Sequence, residues 1–120
     1  MKNDEIDSLN EIRQSLRQFA TERDWAQFHS PKNLAIALSV EAAELLERFQ
    51  WLKEGTAAEL GPERLAAVSE EMADVLLYLV MLADKLDVDL LAAARDKLEK
   101  NALKYPVETV RGSSKKYTEL

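Results

Sequence analysis

From Val75 to Ala83 the chain reads Val-Leu-Leu-Tyr-Leu-Val-Met-Leu-Ala, a stretch that is apolar in every direction once wound into a helix. Such a run is expected of a helix buried all round, and it suggests packing against a neighbouring subunit as well as against its own chain. Two acids, Glu71 and Asp74, stand at its entrance, and Tyr78 projects between their two directions one turn later. About thirty residues upstream, on what reads as a separate helix, the same i,i+3 spacing recurs as Glu41 and Glu44. Acids buried on several sides need partners, and few cations lie near them in the sequence.

Residues three apart on a helix project from nearly the same side, one turn apart. Four carboxylates turned toward one another repel strongly unless a cation sits between them. Hard divalent ions prefer oxygen ligands, and Mg²⁺ usually works alongside a substrate's phosphates. One such pair alone is readily explained as a solvated helix edge, with Glu44 pairing to Arg48 on the next turn. Two pairs favour a shared metal site.

The 120 residues suit one domain, spanning 1–120, but not a large independent core, so burying more surface by oligomerisation is expected. A formal net charge of −6 argues against general nucleic-acid binding. Cysteine is absent, which excludes disulfides and thiolate sites, and a lone histidine excludes a two-His site within one chain. Charged residues interrupt every long apolar stretch and no signal peptide is evident, so a cytoplasmic location without membrane contact is expected.

The spacing predicts an all-α bundle of four helices. The first runs from about Asp4 to Thr21 on Ile6, Leu9, Ile12, Leu16 and Phe19. A loop from Glu22 to Ser30 holds Trp25, Phe28 and His29. Ser30-Pro31 reads as an N-cap followed by proline at the first helical position, opening a second helix that reaches about Lys53 and stops at Glu54-Gly55. Gly61-Pro62 repeats the start signal for a third helix to about Leu86. Asp87 or Asp89 caps a fourth that ends near Tyr105-Pro106, and the tail from Val107 is expected to be irregular.

The second helix buries Leu34, Leu38, Leu45, Phe49 and Leu52 along one stripe, with Glu41 within it or at its edge. On the fourth helix Lys97, Asn101 and Tyr105 recur at i, i+4 and i+8 on the side of Leu90, Ala94 and Leu98. An inward lysine and asparagine suit phosphate oxygens, although a snorkelling lysine is the simpler explanation of Lys97 alone. Trp25, Phe28 and Trp51 lie where an amphipathic ring can line a pocket or stack on a base, or close the end of the bundle. His29 can hydrogen-bond a substrate or merely cap its loop.

Beyond the acids, Arg23-Asp24-Trp25-Ala26-Gln27-Phe28-His29, Pro31-Lys32-Asn33-Leu34, Phe49-Gln50-Trp51, Asp74-Val75-Leu76-Leu77-Tyr78-Leu79-Val80 and Ser113-Ser114-Lys115-Lys116-Tyr117-Thr118-Glu119-Leu120 stand out as blocks. Together with Glu41-x-x-Glu44 and Glu71-x-x-Asp74 they resemble the all-α MazG-like nucleoside triphosphate pyrophosphohydrolases, and within them the dCTP pyrophosphatase branch. The resemblance implies hydrolysis of a (deoxy)nucleoside triphosphate to the monophosphate and pyrophosphate with Mg²⁺, Mn²⁺ being able to substitute. It implies Glu41, Glu44, Glu71 and Asp74 as metal ligands and catalytic acids. Trp25, His29, Trp51 and Tyr78 would bind the base and sugar, and Lys97, Asn101 and Tyr105 the phosphates. It also implies a homotetramer, a dimer of dimers with sites at subunit contacts, acting on dCTP and 5-substituted dCTP to clean the nucleotide pool. The linker from Leu52 to Arg64 and the glycine in Arg111-Gly112-Ser113 depart from the branch's pattern.

In such a mechanism the metal neutralises phosphate charge and lowers the pKa of a water, Glu41 or Glu44 orients that water, and Lys97 stabilises the departing pyrophosphate. Three competing readings follow from the same residues. A di-iron bundle needs Glu-x-x-His motifs that neither acidic pair supplies. A non-catalytic helical interaction module would bury its seams without inward acids. A relative acting on dUTP, a purine nucleotide or a phosphoribosyl-nucleotide shares the acid logic and differs only in substrate.

Overall fold

The computed structural model describes residues 8–114 and Thr118. Every regular element among them is helical. The chain divides into two compact units, Met1–Asp87 and Val88–Leu120.

In the first unit, α1 spans Leu9–Glu22, with the Ser8 hydroxyl accepting from the Glu11 N–H. The expected start near Asp4 lies outside the described residues. α1 ends as its sequence requires: Asp24 takes a left-handed conformation (φ 54), and the N–H groups of Asp24 and Trp25 donate back to the carbonyls of Thr21 and Ala20. This paired closure turns the chain sharply. It carries Trp25 back over Phe19, edge to face at 5.7 Å, while the Arg23 guanidinium lies over the same Phe19 ring. A single 3₁₀ turn, Ala26–Phe28, follows.

α2 spans Pro31–Glu47, capped by Ser30 with proline at its start, as the sequence predicts. It stops one and a half turns short of the expected Lys53, because the chain leaves helical geometry after Arg48 and turns through Phe49 to Trp51. α3 spans Ala57–Lys85 and begins earlier than expected, at a Thr56 cap. Gly61 (φ 77) breaks it internally, so Gly61-Pro62 marks the start of its long segment and the first turn is a preface. From the far side of that break, the Arg64 guanidinium donates to the carbonyls of Glu59 and Leu60, the last two residues before it.

α2 and α3 form the main packing pair of this unit, and α1 lies against α3. The buried apolar side chains among the described residues are Ala20, Leu34, Leu60, Val68, Val80 and Ala83, drawn from all three helices. Arg17 on α1 grips Asp84 on α3 through both carboxylate oxygens, at 2.8 and 2.5 Å.

The second unit holds α4, Leu90–Lys104, capped by Asp89 and closed before Pro106, and α5, Val107–Val110. The tail is therefore not wholly irregular: Pro106 serves as N-cap for one short turn, too brief for a hydrophobic period to reveal. Among the described residues no helix is long and apolar enough to cross a membrane.

The Arg17–Asp84 pair yields a pH prediction. Hydrogen bonding to Arg17 holds the Asp84 carboxyl below its ordinary value of 3.8. A depressed native value stabilises the fold above the unfolded one and loses that contribution as pH falls through the native one. Asp84→Asn should lower Tm at pH 7, with the gap to wild type closing progressively below pH ~4 in thermal melts.

Candidate active site

Packing α2 onto α3 brings Glu41, Glu44 and Glu71 together, each offering a carboxylate oxygen within 4.8 Å of the others. Oε2 of Glu41 and Oε2 of Glu71 are buried and accept no hydrogen bond. Orphaned buried acceptors of this kind are costly unless something else engages them. The Glu41 carboxyl is pushed up to about 6, first by burial, then by its hydrogen-bonded neighbour Glu44, and then by the charges of Glu44, Asp74 and Glu71.

Arg48 is the cation the sequence offered to Glu44 as an i,i+4 partner. The structure gives it to Glu71 instead, Nη2 to Oε1 at 3.1 Å. One guanidinium against several carboxylates leaves a net negative pocket of oxygens. That donor set, all hard oxygen with unpaired lone pairs turned inward, fits a divalent cation such as Mg²⁺ or Mn²⁺. These carboxylates would hold it.

Asp74 stands one turn along from Glu71 and lines a cavity of about 520 Å³ between α1, the Trp25–His29 loop and α3. Trp25, His29, Leu77 and Tyr78 share that lining, so a largely apolar, aromatic pocket opens beside the acidic cluster. Three of the expected base- and sugar-binding residues, Trp25, His29 and Tyr78, are thus brought to one cavity with Asp74. Trp51 is not among its lining residues; its ring is 89% exposed on the turn that follows α2. Lys97, Asn101 and Tyr105 lie in the second unit, on and just past α4, with Lys97 exposed and the other two half-buried.

Two contributions escaped sequence reasoning. The Arg48–Glu71 pair is long-range, and nothing local distinguishes it from the Glu44–Arg48 alternative. Glu59 accepts from the backbone N–H groups of Lys53, Glu54 and Gly55, and these bonds lower its pKa. Its signal was present: Thr56-x-x-Glu59 has the spacing of a capping box.

Comparison with known proteins gives these residues a context. The MazG-like family model matches residues 36–120, which include all four acids. The chain belongs to the MazG-like family. It is 48% identical over 115 residues to dCTP pyrophosphatase 1 of Homo sapiens, covering 94% of this chain and 68% of that protein. It is 47% identical over 118 residues to dCTP pyrophosphatase 1 of Mus musculus, with the same coverage. The crystal structure of a pyrophosphatase from Archaeoglobus fulgidus superposes with a TM-score of 0.75 at 43% identity, covering 82% of this chain and 92% of that one. The all-helical architecture of the described residues is consistent with the MazG-like fold.

If the cluster is held together against its own repulsion, removing one charge should relieve it. In EDTA, Glu41→Gln should melt higher than wild type by roughly 4 °C, equivalent to about 1 kcal/mol for a domain of this size. Adding Mg²⁺ should raise the wild-type Tm and leave that of Glu41→Gln nearly unchanged.

Proposed function

We propose that the protein hydrolyses dCTP or a 5-modified dCTP, in the presence of Mg²⁺, to the nucleoside monophosphate and pyrophosphate, and so removes unwanted nucleotides from the cytosolic pool. It is a nucleoside triphosphate pyrophosphohydrolase. The observation that carries the reading is the juxtaposition at Asp74, whose charge acts on Glu41 in the acidic cluster and whose side chain lines the aromatic cavity. A nucleotide needs both: a charged end for the phosphates and an apolar, flat-walled end for the base.

In this reading Glu41, Glu44 and Glu71, which stand together, and Asp74 one turn along α3 would hold the divalent cation, which when bound would supply charge neutralisation for the phosphates and acidify a water. Glu41 or Glu44 orients the attacking water and accepts its proton. Trp25 and Tyr78 flank the base and sugar, and His29 offers a hydrogen bond from the loop side. Trp51 adds a second stacking surface, consistent with so large a ring being kept in water. Lys97, Asn101 and Tyr105 are assigned to the phosphate chain on the family resemblance, with Lys97 stabilising the leaving pyrophosphate.

The protein works as a homotetramer, a dimer of dimers. Ile36 and Val40 on α2, with Leu65, Met72 and Leu76 on α3, leave apolar side chains in water at helical spacing, as a subunit interface would.

Pyrophosphate release from a panel of dNTPs, NTPs and 5-methyl-dCTP, with Mg²⁺ and with EDTA, tests the chemistry and the substrate together. Metal-dependent release favouring dCTP species is the expected result. Preference for dUTP or a purine keeps the mechanism and moves the substrate, whereas no release from any of them overturns the enzyme reading. Glu71→Ala and Asp74→Ala should each cut kcat by at least about 10³-fold, with far-UV circular dichroism near wild type. Surviving turnover would remove these acids from the reaction.

A further inference from the structure

Trp51 occupies an unusual position. It is one of two tryptophans in the chain, it is 89% exposed, and yet the backbone on both sides of it is pinned. On its N-terminal side, turn bonds run from the N–H of Arg48 to Leu45 and of Phe49 to Leu46, and a third, from the N–H of Leu52 to Phe49, spans Trp51 itself. On its C-terminal side, the Glu59 carboxylate collects three consecutive backbone N–H groups: Lys53 at 2.7 Å on Oε2, then Glu54 at 3.0 Å and Gly55 at 2.8 Å on Oε1. Consecutive N–H groups converging on one anion form a nest, which here is filled by the chain's own side chain.

The mount is locked at further points. Gly55 sits at φ 75, and a Cβ there would come within 2.6 Å of the Phe49 ring, so the loop closes on the residue two before Trp51. Glu59 is itself fixed, because its N–H donates to the Thr56 hydroxyl and its carbonyl accepts from Arg64. A loop tied this heavily, with an indole left in water at its tip, is organised for presentation of that ring. Rigid aromatic anchors bind at low entropic cost, because little freedom remains to be lost.

We propose that Glu59 is a positioning residue for Trp51: by gathering the N–H groups of residues 53–55 it fixes the loop that presents the indole to the nucleotide base. This rests on the reading above in which Trp51 contacts the base. Glu59 itself touches no substrate in this scheme. Losing its carboxylate loosens the loop, widens the orientations open to the ring and weakens binding. It leaves the acids of the α2–α3 cluster in place, so the chemical step is spared.

The test is a double-mutant cycle on the full chain, using kcat and KM for dCTP with Mg²⁺. Glu59→Ala should raise KM about tenfold, a typical share for one stacking contact, and change kcat by less than about twofold. In a Trp51→Ala background the same substitution should leave KM within about twofold, since there is no ring left to position. Glu59→Gln keeps Oε1 for two of the three N–H groups and should fall between Glu59→Ala and wild type. A second readout does not depend on activity: with Trp25→Phe, Trp51 is the sole tryptophan, and its steady-state fluorescence anisotropy should drop when Glu59→Ala is added.

Additive KM effects, an equal loss in kcat, or unchanged anisotropy would each overturn the positioning role. If Trp51→Ala raises KM while Glu59→Ala does not, the base contact stands and the role of Glu59 falls. If Trp51→Ala leaves KM unchanged, the base contact itself falls, and the proposal with it.

Discussion

The packing of α2 against α3 is the interaction on which the rest depends. Leu34 on α2, 1% exposed, and Val68 and Val80 on α3 supply apolar burial that is indifferent to direction and charge. That burial holds Glu41, Glu44 and Glu71 within 4.8 Å of one another, where their mutual repulsion and desolvation would otherwise drive the helices apart. Arg48 offsets part of this through Glu71 and leaves Oε2 of both Glu41 and Glu71 without a partner. A pair of helices selected for stability alone would not leave buried carboxylate oxygens without partners in this way. The site stores unfavourable electrostatics, and the apolar seam on either side supplies the means.

The i,i+3 spacing on α3 divides labour between two sides of that helix. Positions three apart differ in direction by about 60°. Glu71 therefore reaches the acids of α2, while Asp74 has turned far enough toward α1 to line the aromatic cavity with Tyr78 one turn later. The same small rotation that keeps both carboxylates on one broad face also sets Asp74 between the acidic cluster and the aromatic cavity. On the far side of the cavity, Trp25 arrives by a different device, the left-handed closure at Asp24 that reverses the chain at the end of α1.

What the sequence made legible was local. Ser30-Pro31 and Asp89 predict helix starts because an N-cap acts within three residues, and the structure places caps there. The acidic pairs could be put on facing helices because helical period fixes direction along each. Pairing between elements was less accessible. The choice of Arg48 for Glu71 over Glu44 depends on where α3 lies, and i,i+4 proximity alone points to the wrong partner. The early end of α2 was hidden because Phe49 and Leu52 continue the apolar stripe even though the backbone has left helical geometry; both are half-buried from the turn instead. Hydrophobic period reports burial, and a tight turn can satisfy it as well as a helix.

The run from Val75 to Ala83 demands burial on every side, and the isolated chain supplies it on only some. Val80 and Ala83 are buried within their own unit, whereas Leu76 remains exposed and the others in the run are only half-covered. Nearby, Leu46 is 67% exposed and Met72 more than half exposed. Each large apolar side chain moved from water to an interior is worth about 1.5–3 kcal/mol, so a handful of them is comparable to the whole stability of a domain this size. Among the described residues, part of the apolar surface of α3 is thus left uncovered. The proposed assembly would supply the missing neighbours and cover the outer faces of the same two helices whose inner faces carry the acids.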